Sequence, residues 1–123
     1  MTAFGLPKTT EEEKKLRTQH IQEATKFAIE IPFKVMELSF ESLAIIREMV
    51  EKGNPNSVTD AGVGALCARA AVIGAFMNVR INATGYNDKK FVEEIVTKGK
   101  LIEQKTIDAE QEILKMVNEK IGL

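Results

Sequence analysis

The chain has 123 residues, 44% of them hydrophobic and 28% charged, and its 17 Lys and Arg against 18 Asp and Glu leave a formal charge of −1. That balance excludes a broad basic footprint for nucleic acid or anionic membrane, and the apolar fraction suits a globular chain with one modest core rather than a disordered one. The single cysteine, Cys67, excludes an intramolecular disulfide and a Cys-based zinc cluster, and without a basic-then-apolar leader at the N-terminus the expected location is the cytoplasm.

Glu and Lys greatly outnumber Asp and Arg, and Gly and Pro are few, a choice of residues that favours helix. The first helix is predicted to start at Thr10, in a T-x-x-E capping box with Glu13, with Glu11, Glu12 and Glu13 at the positive end of its dipole. Ile21, Ala24, Ala28 and Ile31 recur at helical spacing and give it one buried stripe. Pro32 predicts a kink or a tight restart, so a second helix is expected over 33–52. This segment carries two apolar stripes, one through Phe33, Met36, Phe40 and Leu43 and one through Val35, Leu38, Ile45 and Met49, and must be covered on more than one side. Gly53 is expected to end it in a left-handed position ahead of Pro55.

A third helix, over 59–82, is crowded with small residues, so neighbouring backbones can approach closely; Gly62, Gly64 and Gly74 each cost roughly 0.5 to 1 kcal/mol relative to alanine and need a reason in packing or ligand approach. Asp60, Arg69, Asn78, Arg80 and Asn82 interrupt it too often for a lipid span. The fourth helix is expected over 89–120, about 48 Å long, with seams at seven-residue spacing through Val92, Gly99, Thr106 and Ile113 and through Ile95, Ile102, Ala109 and Met116. That exceeds the width of so small a domain, and part of its partner is expected to be another subunit. The expected fold is all-α: a single domain over 1–123, a bundle of about four helices around a central small-residue helix.

The richest polar cluster is Asn54, Asn56, Ser57, Thr59 and Asp60, at the head of the small-residue helix. It reads either as a turn and N-cap or as a cradle for an anion or a polar ring edge. Asp60 and Asn78 share a face about 27 Å apart, and Asn82 lies one turn beyond Asn78; the two carboxamides suit a flat heterocycle or another backbone equally. Arg69 and Arg80, on the opposite side, predict ion pairs with Glu of other helices or the binding of a carboxylate ligand. His20 reads as exposed and idle, Cys67 as a small core filler, and no metal-ligand spacing is present.

LPKTTEEE at 6–13 and GNPNSVTDAGVGALCARAAVIGAFMNVRIN at 53–82 closely resemble the formiminotetrahydrofolate cyclodeaminase and methenyltetrahydrofolate cyclohydrolase family, which includes the C-terminal domain of formimidoyltransferase-cyclodeaminase. The resemblance implies an all-helical domain that dimerises and acts on one-carbon tetrahydrofolate derivatives, without metal, in histidine degradation. It implies closure of 5-formiminotetrahydrofolate to the 5,10-methenyl form with release of ammonia, with hydrolysis of the methenyl form as the alternative and, from another class, a non-catalytic helical oligomerisation module or a fragment inactive alone. An attached or separate glutamate formimidoyltransferase domain is the partner it implies. On position and chemical type Asp60 is the expected proton-handling or pterin-anchoring carboxylate; Asn54, Asn56 and Ser57 shape the loop, Asn78 and Asn82 are polar contacts, and Lys8, Arg69 and Arg80 are candidates for the glutamate tail. Family domains carry further helices before the first match, with a Gly/Ser-rich segment and an acidic residue credited with proton transfer. The chain is therefore expected to be the C-terminal part of such a domain.

Overall fold

The computed structural model describes residues 3–123. Among them are three α-helices, α1 (Glu11–Lys52), α2 (Val58–Ala83) and α3 (Lys89–Ile121), with single 3-10 turns at Ala3–Gly5 and Pro55–Ser57 and no strand. The all-α expectation holds, but the first two expected helices are one helix of 42 residues, about 63 Å long.

The reason lies at Pro32. A proline has no amide to donate to the carbonyl four residues back, which here is Ala28 O. That carbonyl accepts instead from Asn82 Nδ2 on α2, at 3.1 Å. The side chain of a neighbouring helix supplies the missing donor, and α1 continues through the proline. At its start the expected capping box is formed: Glu13 N donates to Thr10 Oγ1 at 3.1 Å, and Thr10 N and Thr9 N donate to Glu13 Oε2 at 3.0 and 2.9 Å. These amides hold the Glu13 carboxyl below its ordinary range, Thr10 more than Thr9. At the other end Gly53 is extended (φ −77°) rather than left-handed, and the Lys120 ammonium of α3 donates to Val50 O, one of the last carbonyls of α1.

Helix α2 packs against both α1 and α3, and α1 touches α3 as well. The core falls into two clusters. One joins Ile29 and Met36 to Val72, Phe76 and Val79, with Ile95 closing it from α3. The other joins Leu43 and Val50 to Val58, Ala65 and Ala68, with Ile113 and Val117 from α3. Two of the glycines have packing reasons: a Cβ on Gly62 would meet Val117 Cγ1 at 3.3 Å, and one on Gly99 would run into the Phe76 ring. The turn into α3 is clamped to α1 by Gln22, whose Nε2 donates to Gly85 O at 3.0 Å and whose Oε1 accepts from Asn87 N at 2.8 Å.

The central helix is covered on two sides only. Its residues Val58, Gly62, Ala65, Ala68, Val72, Phe76 and Val79 are buried, whereas Val63, Leu66, Met77 and Ile81 are exposed. Cys67 also lies on the exposed side, which corrects the expectation of a core filler. The segment Pro55–Ala83 is long and apolar enough to cross a bilayer by length and composition, and an 18-residue stretch of it with mean hydropathy 1.5 is 33% buried. On α1 the stripe through Met36 and Leu43 is buried, while Val35, Leu38, Ile45 and Met49 stay exposed.

Candidate functional site

The loop between α1 and α2 is built by its own polar groups. Asn54 Oδ1 accepts from Asn56 N at 3.0 Å, Ser57 N donates to Asn54 O at 2.9 Å, and Pro55 sits at the first position of the 3-10 turn, where a missing amide costs nothing. Ser57 then precedes α2 without using its hydroxyl as a cap. Asn54 thus makes the turn, whereas the side-chain N-cap by Ser57 is not formed and, among the described residues, the Ser57 hydroxyl has no hydrogen-bond partner. Asp60 stands in the first turn of α2, where the dipole favours a carboxylate; it is exposed and, among the described residues, makes no hydrogen bond or ion pair.

These groups surround a recess of about 210 Å3, lined by Met49, Gly53, Asn54, Ser57, Asp60 and Ala61. Asn56 does not line it. Small-molecule pockets run to about 300–1,000 Å3, so this corner holds one edge of a ligand rather than enclosing it. Its chemistry is that of a free carboxylate, a free hydroxyl, a carboxamide and helix-start amides: a proton acceptor beside hydrogen-bond donors for a flat polar heterocycle.

The other expected residues lie elsewhere. Asn78 Nδ2 donates to Gly74 O of its own helix at 3.2 Å, and Asn82 Nδ2 donates to Ala28 O and Asn78 O, so of the two uses open to this pair the backbone one is realised. Both border a groove of about 530 Å3 between α1 and α2, floored by Ala70, Ala71 and Gly74. Arg69 Nη1 reaches Glu110 Oε1 of α3 at 3.8 Å, the ion pair expected from another helix, and Glu110 is only 2% exposed. Arg80 lies over the Phe76 ring, 4.8 Å from its centroid. Lys8 is exposed, just ahead of α1 and at the opposite end of that helix from Asp60. Within one chain, then, Asn54, Ser57 and Asp60 come together and Lys8, Asn56, Arg69, Asn78, Arg80 and Asn82 do not join them. Among the described residues no group of three His, Cys, Asp or Glu is placed to hold a metal ion.

The family described as Formiminotransferase-cyclodeaminase matches residues 1–100, which include the whole of α1, α2 and the corner between them. The chain belongs to that family. The formiminotransferase-cyclodeaminase match ends inside α3, and the greater part of that helix lies beyond it. The chain is 44% identical over 94 residues, 76% of its own length, to a methenyltetrahydrofolate cyclohydrolase of Methylorubrum extorquens, of which those residues make up 45%. It is 34% identical over 92 residues, 75% of its length, to the formimidoyltransferase-cyclodeaminase of Rattus norvegicus, covering 17% of that protein. With the Dictyostelium discoideum formimidoyltransferase-cyclodeaminase it shares 29% over 116 residues, 94% of its length and 21% of the relative. The chain therefore spans less than half the length of these relatives.

Proposed function

We propose that this chain acts in one-carbon folate chemistry as a cyclodeaminase, converting 5-formiminotetrahydrofolate to 5,10-methenyltetrahydrofolate with loss of ammonia, and that the Asp60 corner handles the protons. The observation that carries this is a carboxylate without a partner among the described residues, beside a serine hydroxyl that caps no amide, in a member of this family. In the reaction folate N10 attacks the formimino carbon on N5. The formimino group enters protonated, as an amidinium; the Asp60 carboxylate accepts the N10 proton and returns it to that nitrogen, which leaves as ammonia with the methenyl cation behind. Ser57 and Asn54 orient the ring edge, so that the intramolecular attack starts from a near-attack geometry.

A second reading is the hydrolysis of the methenyl form to 10-formyltetrahydrofolate, favoured by the 44% identity to a protein named for that activity. There the same carboxylate takes the proton of an attacking water. The location proposed is the cytoplasm, and the partner proposed is a glutamate formimidoyltransferase that supplies the formimino compound. The test is to assay the chain for ammonia release from 5-formiminotetrahydrofolate and for decay of the methenyl chromophore, with Asp60→Asn beside it. Ammonia release that falls at least tenfold in Asp60→Asn supports the first reading, and methenyl hydrolysis alone supports the second. Turnover of either kind that Asp60→Asn leaves intact refutes the role of this corner.

A further inference from the structure

The end of the molecule that holds the Asp60 corner is also where α1 and α3 both finish. Helix α2 is antiparallel to α1, as the Asn82–Ala28 and Gly64–Ile46 contacts show, and antiparallel to α3, as Gly62–Val117 and Phe76–Gly99 show. The first turns of α2 therefore stand beside the last turns of the other two helices. The recess has one wall at the end of α1, Met49 and Gly53, and the other at the start of α2, Asp60 and Ala61, with Asn54 and Ser57 between them. No residue of α3 lines it, yet the last turns of α3 touch both walls.

An α-helix ends with its last carbonyls unpaired. At the end of α1, Gly53 N still donates to Met49 O at 2.8 Å. The next two carbonyls, Val50 O and Glu51 O, would take the amides of residues 54 and 55 if the helix went on. The chain turns away at Asn54, and Pro55 has no amide to give. The amides of Asn56 and Ser57 are already used by Asn54. Lys120, in the last turn of α3, supplies what the loop withholds: its Nζ donates to Val50 O and, at 3.4 Å, to Glu51 O. This is the device that carries α1 through Pro32, where a proline removes a donor and a side chain of another helix replaces it. The ammonium also sits at the negative end of the α1 dipole.

The other wall rests on α3 through apolar packing. A Cβ added to Gly62 would meet Val117 Cγ1 at 3.3 Å and Leu114 Cδ2 at 3.8 Å, and Val58 shares a buried cluster with Ile113 and Val117. A further tie from α3 to α1, Arg47 Nη1 to Glu112 Oε2 at 2.8 Å, joins side chains that are 50% and 64% exposed, and such a pair contributes little. Val50, by contrast, is 1% exposed, so a carbonyl deprived of Lys120 reaches water only if the end of α1 moves. That movement passes straight into the corner. Gly53 lies so close over the last turn of α1 that a Cβ there would overlap Met49 O.

We propose that Lys120 is a positioning residue for the Asp60 corner: by holding the last carbonyls of α1, it fixes where Gly53 and the Asn54 carboxamide stand against the Asp60 carboxylate. Lys120 touches no reacting group. It acts through the backbone of α1, from a part of α3 that lies beyond the residues matched by the family. The hold on the corner stands without the folate reading above, and its effect on turnover rests on that reading. A recess of about 210 Å3 grips one edge of a ligand, so the placing of that edge matters. A misplacement of about 1 Å costs up to roughly a hundredfold in rate.

The experiment compares three variants of the chain. Lys120→Met keeps the stem and loses the donors, Lys120→Arg keeps donors and charge, and Thr10→Ala removes the cap at the far end of the same helix as a control for lost stability. Backbone order parameters are measured first, without folate. Wild type, Lys120→Arg and Thr10→Ala are expected to hold the amides of Asn54, Asn56 and Ser57 near about 0.85, and Lys120→Met to bring them below about 0.6 with the middle of α2 unchanged. Ammonia release from 5-formiminotetrahydrofolate, or methenyl hydrolysis if that is what the wild type shows, is then followed where all variants are folded. It is expected to fall about tenfold in Lys120→Met, to recover to within about twofold in Lys120→Arg and to stay unchanged in Thr10→Ala. A corner that stays rigid in Lys120→Met, an equal loss in Thr10→Ala, no rescue by Lys120→Arg, or a loosened corner with wild-type turnover would each overturn the proposal. A wild type without either turnover defeats the folate reading, and the order parameters alone then decide whether Lys120 holds the corner.

Discussion

The continuity of α1 through Pro32 rests on one hydrogen bond, and its removal is predictable in size. Asn82→Ala leaves Ala28 O, in a partly buried position, without a donor. The net loss of such a bond is about 0.5–1.5 kcal/mol, and the stranded carbonyl adds a desolvation penalty, so a destabilisation of about 1–2 kcal/mol is expected. In urea this lowers the unfolding midpoint by roughly half to one molar. The prediction becomes specific in a double-mutant cycle. Pro32→Ala restores a backbone amide at position 32, which donates to Ala28 O as in any helix, and Asn82 is then redundant. The cost of Asn82→Ala should therefore fall to about 0.5 kcal/mol or less in the Pro32→Ala background, a coupling of about 1 kcal/mol. Equal costs in the two backgrounds would refute the claim that Asn82 stands in for the missing proline amide.

Gly99→Ala gains about 1 kcal/mol of helix propensity but drives its methyl into the ring of Phe76, which is fully buried, so a net loss of about 1–2 kcal/mol is expected in thermal or urea unfolding. Trimming the ring with Phe76→Leu should make Gly99→Ala far less costly. Arg69→Met strands the buried Glu110 and should destabilise by about 2–3 kcal/mol, whereas Arg69→Met combined with Glu110→Leu should recover most of that loss. Thr10→Ala removes the α1 cap at about 1 kcal/mol. The stability that comes from the depressed Glu13 carboxyl is present above the unfolded-state value and lost as pH falls through the folded-state value. Wild type should thus lose its advantage over Glu13→Gln in acid and keep it at neutral pH.

What the sequence made legible was local. The Thr10 box, the polar loop at 54–60 and the small-residue helix are each specified by neighbours within a few residues, and each is found in place. Pro32 predicts a kink or a tight restart, and α1 does not restart there, because the donor that satisfies Ala28 O lies 54 residues away and no local rule carries that information. Cys67 was misplaced for a different reason. Helix α2 is apolar around most of its circumference, so its periodicity does not say which side meets α1 and α3 and which is left bare. The need of the 33–52 segment for a second cover was readable from its two stripes, and the structure leaves the second stripe bare. Helical rise alone separates Asp60 from Asn78, and their distance in the structure follows; that Asn82 serves α1, and Arg69 the buried Glu110, required the packing of the three helices.

The most direct test of where folate chemistry occurs is a titration of the isotopically labelled chain with 5,10-methenyltetrahydrofolate, followed by the shifts of its backbone amides. The account predicts saturable shifts concentrated at 53–61, reduced at least tenfold in apparent affinity by Asp60→Asn. Shifts centred instead on Arg69, Arg80 and the face of α3, with the 53–61 amides unmoved, would contradict it.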